Sequence, residues 1–202
     1  MFSIGAEVMS FNKMFIVFSF LALPLSGMAD SGENSPLYIG INGAKYELTA
    51  TTASGTESSV EYDGYMFNLG YDFNNYLSLE ADAGLSSSEN EATPGSSSKI
   101  DYTVGLYLKL NMRFDRVVVS LLGGQTSTKM SVTTGATTTS DTESSTAGGI
   151  GIDFFGTRDL ALTFRRMIIY TKDNVGGGDT TITATTAGIT YYFDTPRIRS
   201  RY

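Results

Sequence analysis

The chain has 202 residues and a formal net charge of −7, with no cysteine, histidine or tryptophan. These counts exclude disulfides and thiol chemistry, remove the usual general base and commonest metal ligand, and argue against nucleic-acid binding, which needs a basic stripe. Gly, Ser, Thr, Val, Ile, Tyr and Phe dominate and only four residues are Pro, a composition suited to one all-β domain with polar loops.

Lys13, the apolar run 14–25 and the small residues of Ser26-Gly27-Met28-Ala29 have the three parts of a secretory signal. Cleavage is expected after Ala29, so that 1–29 is a signal peptide. The alternative is a transmembrane anchor, which needs a longer apolar run and stop-transfer charges. A cleavage site without Cys excludes a lipoprotein. The start is open between Met1, Met9 and Met14.

Beyond Ala29 the recurring pattern is period-two alternation, the mark of strands with two unlike faces. Residues 37–48 are a weak first candidate. Tyr65, Phe67, Leu69, Tyr71 and Phe73 alternate with Met66, Asn68, Gly70 and Asp72. Leu77, Leu79, Ala81, Ala83 and Leu85 alternate with Ser78, Glu80, Asp82 and Gly84. The clearest case is 100–114. There Ile100, Tyr102, Val104, Leu106, Leu108, Leu110, Met112 and Phe114 share one parity, against Asp101, Thr103, Gly105, Tyr107, Lys109, Asn111 and Arg113. Residues 116–128, 149–154, 160–171 and 187–193 complete about eight strands. A tilted membrane strand needs about 9–11 residues, and an even number of strands suits a closed up-and-down barrel. The connections alternate: short turns at Asn74-Asn75, Asp115-Arg116 and 156–159, longer polar segments at 49–59, 86–98, 127–145 and 172–180. Outer-membrane barrels have short periplasmic turns and long outer loops in this way.

A soluble lipocalin-like barrel would also alternate, with its apolar side chains inside. Three features favour the inverted membrane arrangement. The polar parity is rich in Gly, Ser, Thr and charges of both signs, which suits the narrow interior of a barrel of ~8 strands. Phe73, Phe114, Phe154 (or Phe155) and Phe193 reach the short-turn rim, where aromatic residues form an interfacial girdle. The chain also carries an export signal. On this reading Val104, Leu106, Leu108 and Leu110 face lipid.

Leu37-Tyr38-Ile39-Gly40, Phe67-Asn68-Leu69-Gly70-Tyr71 and the closing Ala187-Gly188-Ile189-Thr190-Tyr191-Tyr192-Phe193 resemble the OmpA/OmpX-like family of small outer-membrane β-barrel proteins. The resemblance covers essentially the whole mature chain, through degenerate motifs. It implies an all-β transmembrane barrel over 30–193 in the outer membrane of a Gram-negative bacterium. It also implies that the strand ending at Phe193 is read by the barrel assembly machinery. The family usually ends at that aromatic residue, whereas here 194–202 continues with Pro196, Arg197, Arg199 and Arg201, read as a basic periplasmic tail.

Glu80, Asp82, Asp101 and Asp153 fall on the interior parity with Lys109 and Arg113, and Arg165 is expected to join them. Two readings stand: a conducting polar lumen, or a salt-bridged plug. A narrow lumen favours the plug, because buried charges must be paired. Arg166 breaks the pattern of Leu160, Leu162 and Phe164 by falling on the lipid side. Either a β-bulge at Arg165-Arg166 turns both guanidinium groups inward, or Arg166 rises to the outer interface. The surplus of interior carboxylates favours the bulge. Gly149-Ile150-Gly151 lacks the third glycine and the helix of a phosphate loop. Asp173, Gly176-Gly177-Gly178 and Asp179 do not match an EF-hand.

No catalytic residue, cofactor or metal is expected. Lipid A deacylases and palmitoyltransferases among small barrels rely on a His that this chain lacks. The expected role is a non-enzymatic, monomeric barrel that contacts outer-membrane lipid and lipopolysaccharide and serves envelope integrity or surface interaction through its loops. A small porin-like pore and a surface adhesin or complement-evasion protein are the alternatives. Mass spectrometry of the protein from the membrane fraction should find a chain beginning at Asp30; a retained 14–25 segment would make that segment an anchor.

Overall fold

The computed structural model describes residues 37–93, 96–174 and 177–193. The expected signal peptide 1–29 and basic tail 194–202 lie outside the described residues. Among the described residues nine strands run β1 (Leu37–Thr51), β2 (Glu57–Asp72), β3 (Leu77–Ser86), β4 (Asn90–Thr93), β5 (Ser96–Phe114), β6 (Val117–Thr134), β7 (Thr137–Phe155), β8 (Leu160–Asn174) and β9 (Gly178–Tyr192). Every pairing is antiparallel and joins sequence neighbours, with two exceptions. β3 pairs directly with β5, as in Leu79↔Leu108, which leaves the short β4 as a flap on the outer end of β5. β1 pairs with β9 from Tyr38↔Tyr192 upward, and this ladder closes eight strands into a barrel.

Local chemistry fixes the short turns. In the turn between β2 and β3, Asn74 Oδ1 accepts from the backbone N–H of Tyr76 and of Leu77, at 2.8 and 2.9 Å, an Asx turn. Asp115 sits at φ 47° in the β5–β6 turn, a left-handed geometry that Asp tolerates better than most residues. Thr157 Oγ1 accepts from Leu160 N–H in the β7–β8 turn.

The opposite rim differs from expectation. Residues 127–145 are not a loop: β6 and β7 continue upward as a hairpin and turn only at Gly135, where φ is +60°. Cross-strand hydroxyl pairs line it, among them Thr133–Thr138 and Ser131–Ser140, both at 3.0 Å. Apart from Met130 and Val132 both faces of this hairpin are polar, so it shows little alternation to read.

The sense of the barrel is decided by exposure. Ile41, Leu69, Leu108, Leu110, Ile150, Leu162 and Phe164 stand on the outer wall, between 49% and 56% exposed. Glu80, Lys109, Asp153 and Arg165 point inward and are at most 3% exposed. A water-soluble barrel has the opposite distribution. Val104 and Leu106 share the outer face with Leu108 and Leu110, Leu106 being the half-buried one. Phe73, Phe114, Phe154 and Phe193 all face outward at the short-turn rim, with Tyr71 and Tyr191 packed edge-on against Phe73 and Phe193. Phe155 faces inward.

Two β-bulges correct the sequence reading. The β5–β6 register shifts between Ile100 and Tyr102, so Ile100 turns inward and is buried rather than outward like Tyr102. The β8–β9 register shifts between Ile168 and Tyr170. Alternation therefore runs unbroken through Arg165 (in), Arg166 (out), Met167 (in) and Ile168 (out), and the bulge expected at Arg165-Arg166 lies further up the strand. It sends Ile169 and Tyr170 inward together. The reason is the company they join: the outer half of the lumen is lined by Tyr46, Tyr62, Met66 and Ile182, which accept another aliphatic chain and not a second guanidinium.

Leu108 lies six residues above Phe114 on the outer wall, near the middle of a membrane band ~25 Å tall. Leu108→Arg should lower the folding free energy in lipid vesicles by about 2–4 kcal/mol, read by denaturant titration. An unchanged midpoint would contradict the membrane-facing assignment.

Candidate functional site

Inward parity on four separate strands brings five ionisable side chains together in the lumen. Arg165 of β8 forks onto Glu80 of β3: Nη1 donates to Oε1, and Nη2 donates to Oε2 at 3.0 Å. Such bidentate, charge-assisted pairs fix geometry as well as energy. Tyr38 of β1 donates its hydroxyl to the same Oε2 at 2.7 Å. Lys109 of β5 donates to Asp153 Oδ2 of β7 at 3.1 Å, lies 3.8 Å from Glu80 Oε2 and sits over the Tyr38 ring. Tyr192 of β9 donates to Asp153 Oδ2 at 3.2 Å. Strands from every part of the chain thus meet in one network.

Asp82 stands apart within it. It approaches Arg165 Nη1 only to 3.9 Å, and neither of its carboxylate oxygens accepts a hydrogen bond among the described residues. The cluster holds Glu80, Asp82 and Asp153 against Lys109 and Arg165, one carboxylate more than its cations match.

Two expected members lie elsewhere. Arg113 pairs with Asp72 at 2.9 Å and donates to Asn75 O at the short-turn rim. Asp101 sits on the β5 bulge near the opposite rim, accepting from Ser131 Oγ at 2.5 Å with Lys129 4.0 Å away. The bulge carries Asp101 out of the lumen, so it meets none of Lys109, Arg113 or Arg165. Conversely, Tyr38, Tyr192 and Asp72 are partners that sequence reasoning missed. Their available signal was parity: each shares its strand face with polar residues that turn inward.

The network is roofed and floored. Toward the short turns Ser78 Oγ donates to Asp72, Asn111 Nδ2 to Ser78, and Ser120 to Asn111. Tyr38, Val118, Phe155, Ala161 and Tyr192 pack beside them. Toward the long-hairpin rim Tyr46, Tyr62, Met66, Ile100, Met167, Ile169 and Ile182 form a buried, largely apolar cap. Inward glycines make the room: a Cβ on Gly70 would fall 2.0 Å from the Tyr38 ring, and one on Gly84 would fall 2.2 Å from the Tyr46 hydroxyl. Gly149 is such a strand glycine, facing Met167.

Above the cap the wall changes character. The β7–β8 ladder stops at Gly148↔Ile168 although both strands continue. Side chains bridge the seam: Ser145 Oγ accepts from Thr171 N–H at 3.0 Å and donates to Thr171 O at 3.3 Å, and Glu143 takes both Tyr170 and Lys172. No group of three or more metal-ligating side chains occurs among the described residues. The Asp173–Asp179 segment falls partly outside them.

The family described as outer membrane protein beta-barrel domain matches residues 15–193. No curated protein matches the sequence. Solved barrels share the fold at low identity. Neisserial surface protein A superposes with a TM-score of 0.55 at 19% identity, over 79% of this chain and 98% of that one. The attachment invasion locus protein Ail of Yersinia pestis, in complex with the heparin analogue sucrose octasulfate, gives 0.52 at 14%, over 77% and 99%. The N-terminal β-barrel domain of Pseudomonas aeruginosa OprF gives 0.52 at 13%, over 80% and 100%.

Removing one member of the buried fork leaves the other charged and unpaired, so Arg165→Met or Glu80→Gln should cost about 3–5 kcal/mol. Asp82→Asn should cost less than either, because it removes a carboxyl group with no close cation of its own and breaks no hydrogen bond among the described residues. Equilibrium unfolding of the three variants in vesicles checks the order; an Asp82→Asn loss equal to that of Arg165→Met would contradict the pairing.

Proposed function

We propose a function from one premise: the chain belongs to the outer membrane protein β-barrel family, and its place is the outer membrane of a Gram-negative bacterium. It is a non-enzymatic barrel that works from its outer surface, supporting the envelope and presenting its extracellular hairpins. The observation that carries this reading is the filled lumen. Glu80, Arg165, Lys109 and Asp153 neutralise one another across it, and the cap around Tyr46 and Ile182 covers them. A filled lumen supports neither a wide aqueous path nor a substrate cavity, and so favours this reading over the pore alternative. What remains for function is the part beyond the membrane, chiefly the Thr- and Ser-rich β6–β7 hairpin.

The chemistry of that surface narrows its partners. Glu47, Glu57, Glu61, Asp63, Asp141 and Asp179 lie on the outer half of the strands. Lys45 and Lys172 are already paired with Glu61 and Glu143. A surface of that sign repels polyanions. Ail binds a sulfated heparin analogue, and this chain's rim is poorly suited to the same ligand. Neutral or basic surfaces, met through hydroxyl hydrogen bonds, fit it better.

Planar-bilayer recordings of the purified protein should show no large, steady conductance; reproducible steps would restore the pore reading. Shortening the β6–β7 hairpin by deleting 132–139 should leave the barrel folded and detergent resistance of the cells unchanged. It should abolish any cell-surface or abiotic-surface attachment that the full chain confers. Loss of detergent resistance with attachment intact would assign the protein to envelope integrity alone.

A further inference from the structure

We propose that the outer wall formed by β6, β7, β8, β9 and β1 thins the bilayer beside it, so that the barrel sits in the outer membrane as a one-sided wedge. The lower edge of its apolar belt is level: Phe73, Phe114, Phe154 and Phe193 face outward at the short-turn rim all round the barrel. The upper edge is not. Counted from that rim, large apolar side chains continue on the outer wall for eight residues to Tyr65 of β2 and to Leu85 of β3. On β5 they continue through Leu106 and Val104 to Tyr102, twelve residues above Phe114.

On the five adjoining strands the run stops after four residues, at Leu121, Ile150, Phe164, Ile189 and Ile41. The next outward positions are Gly123, Gly148, Arg166, Ala187 and Gly43. Above them stand Gln125, Thr146, Ile168, Thr185 and Lys45. Ile168 is the one large apolar side chain among these ten. Four residues at ~3.3 Å each, on strands tilted near 40°, make the belt about 10 Å shorter on this side.

A bilayer of one thickness all round would sink Gln125, Thr146, Thr185, Lys45 and Arg166 into hydrocarbon, where polar and charged groups are costly. A belt shorter than the hydrocarbon is met by thinning, by tilting or by oligomerising. Tilting would lift part of a level aromatic girdle off its interface. A second copy would have to match Arg166, yet the carboxylates nearest this wall, Glu61 and Asp63, already flank Lys45. Thinning needs neither. It brings the headgroups down to the polar positions and leaves a waist of small residues in the hydrocarbon. The partner this wall fits is therefore a thin or compressible lipid surface, on one side of the barrel only.

The test uses the full barrel in dioleoylphosphatidylcholine vesicles. The chain has no cysteine, so one nitroxide on one introduced cysteine reports one place. Power saturation with oxygen and a nickel chelate reads its depth. Leu106→Cys and Thr146→Cys stand eight residues above the rim on opposite walls, and Met112→Cys and Ile152→Cys stand two above it. The lower pair should report equal depth. Of the upper pair, 106 should lie in hydrocarbon and 146 among headgroups. Equal depth for the upper pair overturns the proposal. So does an unequal lower pair, which would mean a tilted barrel. So does a label at 146 shielded from both reagents in a protein that native mass spectrometry finds dimeric. A label at Ile168→Cys should be shallow, and adding Gln125→Leu, Thr146→Leu and Arg166→Leu should sink it to the depth of 106. A label that stays shallow in that variant, with its fold verified by circular dichroism, also overturns the proposal. The single-label results stand even if that variant misfolds.

Discussion

A strand surrounded by hydrocarbon has no water to bond, so every backbone N–H and C=O at that depth must find a partner in the protein. In this chain the requirement is met by one ladder, β1 against β9, running from Tyr38↔Tyr192 to Thr51↔Asp179. Without it both strands would present open edges to lipid. Closing eight strands sets a narrow radius, and the narrow radius dictates what the interior holds. Tyrosine rings fit only where Gly70, Gly84 and Gly105 yield the space. Charges fit only as matched sets.

The interior is accordingly layered rather than uniformly polar. A hydrogen-bonded floor around Asp72, Ser78 and Asn111 gives way to the fork of Arg165 on Glu80, and then to an apolar cap. The cap explains the bulges. Each inserts a residue near the outer end of its strand and turns a large side chain that alternation would leave outside, Ile100 or Tyr170, into the lumen. Above that level the strands leave the membrane, both faces meet water, and the β7–β8 backbone ladder yields to side-chain bridges such as Ser145 to Thr171.

The strands and short turns were legible because the bilayer enforces alternation, and alternation survives in a single sequence at 65–73, 77–85 and 100–114. The upper hairpin was not, since a strand wet on both faces reads as a polar loop. Bulges were harder still. Ile100 continues the apolar parity of Tyr102 by number alone, so nothing in the sequence marks the inserted residue. The bulge expected at Arg165-Arg166 rested on a count of interior carboxylates that included Asp101. Asp101 lies at the rim beside Ser131 and Lys129, but Arg113 leaves the lumen as well, for Asp72, so one carboxylate, Asp82, still lacks a match; Arg166 stays outside because the unbroken alternation turns the apolar Met167 and Ile169 inward instead. Tyr38 and Tyr192 escaped because a tyrosine near a strand end reads equally as interfacial anchor or as lumen partner.

The account stands or falls on a closed barrel resident in the outer membrane. The most direct measurement is gel migration of the outer-membrane fraction in dodecyl sulfate, with and without boiling. A closed, charge-locked barrel stays folded in cold detergent, so the unboiled protein should run as a faster band that shifts to the mobility of the unfolded chain on heating. A single mobility under both conditions, with the protein recovered from the soluble periplasmic fraction, would contradict the account.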